Sequence, residues 1–545
     1  MKPSESIEIY DVTPRDGDQA MDVNLSTDDK LRIARLDRDM GIPYVEVGFP
    51  ESNPADRAVF ASLYAEPLKG ITHAAFGMTR KPGKVASEDA SLLSLVASRA
   101  PAFTVVGKSS PRHIALTLRT TREENLRMIR DSLEFLRTHS DDVTYDAEHF
   151  FDAYLEDPDY ALETLAAARE AGAKRLVLCD TNGGNVPEDV GRATESVRKA
   201  FDGTLIGIHP HNDWGFAQAN MHAAVQAGAR HIQGTWNGHG ERSGNADLVS
   251  MIAFLSLRGY KTLDPDVLQT LAQVSRSMNR ILQQPDDPRQ PFVGKRTAAH
   301  KGGMHVSAQE RTVETDARWS AYEAHDPTRF GMERTYVVSK QGGLSNIRAF
   351  LRQAHLLTPE TKQRLLNDST LQSRLNEKLK QLESEGYAFD RGPASLELLI
   401  ERSLDGYHPT FQEVSPPRVS DTLGEKSVAT LKIQLNGHGE KEHVVYDDGV
   451  GMVHALDGAL RKALVKRYPV SEALALDDFH VQKAPRSNEG TDSIVQVHMD
   501  FSSGGHSWTT TAASRDMFMA CWRALYDGYE YHLLACERRK TGSEA

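Results

Sequence analysis

Through roughly the first 260 of its 545 residues the chain repeats one unit eight times: a short apolar or β-branched run, a polar loop, then an amphipathic helix. The runs Ile7–Asp11, Tyr44–Gly48, Thr72–Phe76, Phe103–Val106, Val143–Asp146, Arg175–Cys179, Leu205–Ile208 and His231–Gly234 read as strands. Helical periodicity fills the gaps, as in Thr27–Met40, Arg122–Arg137, Tyr160–Ala171 and Phe216–Ala227. Gly41, Gly172 and Gly228 stand where such helices stop. Alternating β and α units demand a parallel sheet, either an open doubly wound one or a closed barrel. Eight units favour an α/β TIM (β/α)₈ barrel over residues 1–285, with its chemistry on the loops after each strand.

Beyond the barrel the pattern changes. PDDPRQP, residues 285–291, reads as a linker, and a loop-rich stretch dense in Lys, Arg and His comes next. Charged helices are expected from about Asn346 to Tyr407, so residues 286–417 form helical linker subdomains. From 418 to 545 the pattern alternates with period two and carries two helices, Val453–Lys466 and Arg515–Cys536: a C-terminal α+β domain.

Charge excludes some partners. With 64 basic against 76 acidic residues the net charge is −12, which argues against nucleic acid. There is no apolar run long enough to span a membrane, and MKPSESIEIY lacks the basic and apolar regions of a secretory signal. Cys179, Cys521 and Cys536 are too scattered for a disulfide framework. A cytoplasmic protein is expected.

The polar residues collect at predicted strand ends. His209 and His211, in HPHND, sit at i and i+2 after strand seven and so share a face. Two neutral imidazoles there suit a divalent metal, whereas an H-x-H elsewhere is commonly a pair of exposed loop histidines. In TPRDGDQ, Asp16 offers a hard oxygen ligand and Arg15 a planar fork for a carboxylate or oxyanion, although a surface turn has the same composition. NGHGERSGN, residues 237–245, brings closely spaced glycines with an Asn or Glu to complete a coordination sphere. Glu148, among the aromatics of YDAEHFF, suits proton transfer or a structural ion pair. His300 and His305 lie outside the barrel. A catalytic role for them requires their segment to fold over a barrel mouth, this chain's or a partner's.

In order along nearly the whole chain, DVTPRDGDQ, VEVGFPESNP, YDAEHFF, LCDTNGG, HPHND, GTWNGHGERSGNADL and HKGGMHVSA resemble the signature blocks of the 2-isopropylmalate, homocitrate and citramalate synthases. FGMTRKPG, LRTTREENLRMIRDS, YDAEHFFDAY and LVLCDTNGG are similar to the citramalate branch, and VGMVHALDGALRKAL resembles the family's regulatory and dimerisation domain.

The resemblance implies an acyltransferase that condenses acetyl-CoA with a 2-oxo acid, pyruvate favoured, under a divalent metal (Mg²⁺, Mn²⁺ or Zn²⁺). It implies Asp16, His209, His211 and Asn245 as metal ligands. Arg15 serves the 2-oxo acid, Thr181 its carboxylate, and Glu148 with His305 the proton transfer. A homodimer and an amino-acid effector such as isoleucine at the C-terminal domain are implied as well. Three positions depart from the family pattern: Pro14, the loop after strand four with Lys108, Ser109, Ser110, Arg112 and His113, and Trp214. Lys108 and Ser110 belong to a donor cluster that suits a second anionic group. The same chemistry on phosphonopyruvate, 2-oxoisovalerate or oxaloacetate is therefore the rival reading. A non-catalytic regulatory barrel and a metal-dependent aldolase or lyase are more distant ones.

Overall fold

The computed structural model describes residues 5–315, 320–336, 346–347, 350–351, 354–422, 426–436, 441–484, 490, 492–504 and 506–542. The chain divides into two compact units, one of residues 1–298 with 325–333, the other of 299–324 with 334–545.

In the first unit eight parallel strands close on themselves in sequence order. They are β1 (Glu8–Asp11), β2 (Tyr44–Gly48), β3 (Thr72–Met78), β4 (Ala102–Lys108), β5 (Val143–Glu148), β6 (Arg175–Asp180), β7 (Leu205–Pro210) and β8 (His231–Gly234). β1 pairs with both β2 and β8, which closes the barrel that the count of eight predicts. Several strands run further than expected, carrying Lys108, Glu148, Asp180 and Pro210 into the sheet. The first helix, α1 (Thr27–Met40), begins with a capping box of Ser26 and Asp29 and stops at Gly41, whose φ of 74° needs glycine. Its inward residues Ile33, Ala34 and Met40 join the apolar shell around the barrel.

In the second unit, two three-stranded antiparallel sheets, Phe411–Thr422 with Lys426–Leu435 and Lys441–Val450, and Ala475–Lys483 with Val495–Ser503 and His506–Ser514, pack against the helices Met452–Leu464 and Met517–Gly542. Pro416 and Pro417 lie inside the first of these strands, where its register shifts. Helices Pro359–Asn367, Ser369–Ser384 and Pro393–Arg402 form the charged helical part. Part of the expected helix after Asn346 lies outside the described residues. One expectation is corrected. The stretch around His305 is not loop-rich, because Gly303–Thr315 is a helix. The glycines Gly302 and Gly303 that suggested a loop stand at its start, and good helix formers follow them.

Candidate active site

The C-terminal ends of the barrel strands bring Asp16, His209 and His211 together, all buried, with one potential ligand atom of each within 4.8 Å of the others. His209 on β7 and His211 just past its end flank Pro210 and so face the same way, their ring centroids 5.2 Å apart. The loop after β8 is pinned to this strand by an isolated bridge between His211 and Asn245. Asn245 donates from Nδ2 to Oδ1 of Asp16 at 3.2 Å. Two buried atoms in this cluster have no partner among the described residues, Oδ1 of Asn245 and Nδ1 of His211. Unpaired acceptors beside a carboxylate are the donor set a hard divalent cation fits. Burial, then the neighbouring His209, pushes the His211 imidazole down to about 4, so it is neutral and able to ligate. Burial would raise Asp16, but Arg15, His209 and His211 hold its carboxyl well below the usual range. Of the other candidates in this loop, Asn237 is turned away to Ser275 and Asn279, and Glu241 is exposed.

Around this cluster lie residues to which the sequence assigned no role. Gln233 on β8 accepts from His209 Nδ1 at 2.8 Å, which leaves Nε2 to face Asp16. The Gln233 amide donates in turn to Asp146 at 3.2 Å. Burial, and then the charge of Glu46, push Asp146 up to about 7. Arg15 donates to Glu46 and to Asp16 while lying 4.0 Å over the Phe76 ring. Tyr10 donates to the other Glu46 oxygen at 2.9 Å. Strand alternation could have found Asp146, which stands two residues before Glu148 and on the same face. Burial opposes charge on Arg15, yet Glu46 and Asp16 keep it firmly protonated.

On the β4–β6 side, Lys108 pairs with Glu148 across adjacent strand ends. Thr181 Oγ1 accepts the His149 amide at 2.8 Å, so the hydroxyl proton is free for another acceptor. Ser110 is buried and precedes a short helical turn. Arg112 is largely exposed and pairs with Glu156, and the His113 ring lies tilted against His149 with centroids 3.8 Å apart. Trp214 is 64% exposed, beside Gly184. His305 belongs to the second unit, where its ring stacks on Tyr322 at 4.0 Å. The neighbouring Glu323 there binds His300 and Arg334.

A closed barrel with a buried Asp–His–His cluster and a clamped arginine at the strand ends defines a (β/α)₈ enzyme built to polarise an oxygen-bearing substrate. The chain matches the HMGL-like family over residues 6–277 and the LeuA allosteric (dimerisation) domain over 392–533. It is 38% identical to the (R)-citramalate synthase of Aquifex aeolicus, with 98% of this chain and 99% of that one aligned. It is 39% identical to the (R)-citramalate synthase of Synechocystis (99% and 98%), and 29% to a probable 2-isopropylmalate synthase of Methanopyrus kandleri (96% and 98%). The chain belongs to the citramalate synthase family of acyl-CoA condensing enzymes, a divalent-metal-dependent group, and carries that family's dimerisation domain. No helix among the described residues is long and apolar enough to cross a membrane.

Proposed function

We propose that the chain condenses the acetyl group of acetyl-CoA with pyruvate and, with water, releases (R)-citramalate and CoA. Full-length similarity to citramalate synthases carries this reading, and the chemistry of the barrel mouth supports it. Asp16, His209, His211 and Asn245 would hold a divalent cation, which supplies Lewis-acid polarisation of the keto group. Arg15 has two of its nitrogens engaged by Glu46 and Asp16, and Nη2 makes no hydrogen bond among the described residues. That donor faces the oxygen on which negative charge grows during carbon–carbon bond formation. Thr181 offers its hydroxyl proton to the acid's carboxylate. Glu148 takes a proton from the acetyl methyl group, and the carbanion adds to the keto carbon. His305 shares in the proton transfer, a role that His305→Ala tests.

The choice of 2-oxo acid rests on which cations are free. An anionic substituent, as in oxaloacetate or phosphonopyruvate, needs an unpaired donor. Lys108 is engaged by Glu148, and Arg112 by Glu156. Glu46 beside Arg15 adds negative charge instead. A methyl substituent is indifferent to both. The test follows CoA release with pyruvate, 2-oxoisovalerate, oxaloacetate and phosphonopyruvate, in wild type and Ser110→Trp. Pyruvate should lead in wild type by at least about tenfold in kcat/KM. Leadership by an anionic acid overturns the reading.

A small amino-acid effector, isoleucine by family likeness, is proposed for the C-terminal domain. A cavity of about 720 Å³ opens there at the start of the helix Met452–Leu464, between Gly451, Val453, Asp457, Arg461 and Phe479. Apolar walls beside a helix N-terminus suit the carboxylate and the branched side chain of such an amino acid.

A further inference from the structure

Beneath the turn that carries Arg15 and Asp16, two carboxyl groups meet with no base beside them. Asp11 ends β1, Asp37 projects inward from α1, and both are fully buried. Thr13 donates twice to Oδ1 of Asp11, from its amide at 2.9 Å and its hydroxyl at 2.5 Å. The Trp236 indole donates to Oδ1 of Asp37 at 2.7 Å, and the Trp236 amide to the Thr13 hydroxyl at 2.8 Å. The remaining oxygen of each carboxyl, Oδ2, is buried without an N–H or O–H donor among the described residues. Thr13 and Trp236 link the two carboxyls into one buried network, and the charge of Asp11 acts directly on Asp37. Two carboxylates bring only lone pairs and like charge to such a network, whereas one proton between them satisfies both oxygens. The charged group facing the pair from β2 is Glu46, which is negative and favours the proton. Thr13 and Trp236 bring no charge, and neither carboxyl makes an ion pair with a basic side chain among the described residues.

We propose that Asp11 and Asp37 share one proton in a carboxylic acid–carboxylate bond, and that this bond positions the Thr13–Asp16 turn for catalysis. The bond ties the turn to α1. Through Trp236 it ties the same turn to the loop after β8 that ends in Asn245. Both residues are positioning residues, since neither reaches the substrate. The activity part of the proposal rests on the proposed condensing reaction, and the shared proton does not.

Burial raises both groups, Asp11 to about 6 and Asp37 well above its ordinary value. The folded chain therefore keeps a proton that the unfolded chain releases near pH 4. Stability from this pair is fullest in acid and declines as the pH climbs from there toward the folded values.

The test compares Asp37→Asn with Asp37→Leu in the full chain. The amide of Asp37→Asn accepts from Trp236 and donates to Asp11, copying the protonated acid without a titrating proton. Asp37→Leu keeps the volume and loses both bonds. Three quantities are read: the deuterium-sensitive infrared band of a protonated carboxyl at pH 8, the melting temperature against pH, and CoA release. The wild-type minus Asp37→Asn difference spectrum should contain that band. The alkaline fall in Tm should flatten in Asp37→Asn, whose turnover stays within about threefold of wild type while Asp37→Leu drops about tenfold or more. Asp11→Asn, the mirror-image copy, should behave as Asp37→Asn does. A missing difference band, unchanged pH slopes, or an Asp37→Asn as inactive as Asp37→Leu would overturn the proposal. If the condensing reaction itself is wrong, wild type releases no CoA while the band and the slopes persist.

Discussion

Arg15 donates from Nε to Oε1 of Glu46 at 2.6 Å, and this bond aims the guanidinium. With Nη1 on Asp16 and the flat face on Phe76, little freedom remains. Arg15→Lys keeps the charge but loses the fork, so kcat should fall on the order of a hundredfold. Glu46→Gln should cost about tenfold in kcat with a smaller change in KM, because it loosens the aim and leaves the donor in place. A loss below about threefold for Arg15→Lys would remove Arg15 from the reacting centre.

Cation binding should depend on residues beyond the Asp–His–His cluster. Asn245→Ala removes the unpaired oxygen, and Gln233→Leu frees the His209 ring to rotate. Each should weaken Mn²⁺ binding about 10- to 100-fold, read by calorimetry or by the electron paramagnetic resonance of free Mn²⁺. Gly240→Ala should act on the same site from a distance, since its Cβ would lie 2.2 Å from Nδ2 of Asn245. Unaltered affinity in Asn245→Ala would remove this residue from the ligand set.

At the opposite end of the barrel, Glu8 accepts from His231 at 2.8 Å and pairs with Arg175. Burial alone would raise its carboxyl, but His231 and Arg175 bring it down to about 2. A depressed carboxyl stabilises the fold above its unfolded value, about 4.5, and that contribution vanishes as the pH falls toward 2. Glu8→Gln should therefore cost about 2 kcal/mol at pH 7 and almost nothing near pH 2, measured by chemical denaturation across that range. A pH-independent difference would contradict the assignment.

Filling the C-terminal cavity should separate regulation from catalysis. Val453→Trp places an indole in the cavity wall and should raise the inhibition constant for isoleucine about tenfold or more with little change in kcat. This variant is preferable to truncation after Arg418, which would cut the strand Phe411–Thr422. Full inhibition of Val453→Trp by isoleucine would place the effector elsewhere.

Much of the barrel could be read from local pattern. β2 and β8 have the bounds that apolar runs predict, and α1 runs from Thr27 to Met40 because its caps are written in Ser26 and Gly41. His209 and His211 were legible as a pair because a strand sends i and i+2 to one face. The helix carrying His305 was not, since adjacent glycines mimic a loop when no tertiary contact is known.

By itself the sequence determined the eightfold alternation, the strand ends at which polar side chains gather, and the family blocks that name the chemistry. Those are local properties, set by period, caps and residue type within a few positions. Only the tertiary structure decided which of those side chains share a bond. Arg15 and Glu46, and Gln233 with His209 and Asp146, come from different elements, and Trp236 reaches Asp37 across most of the barrel's length of chain. Whether a buried carboxyl is a clamp, a ligand or half of a proton-sharing pair depends on what faces it in the closed barrel. Desolvation and the nearest charge set its state, and both act through space, not along the chain.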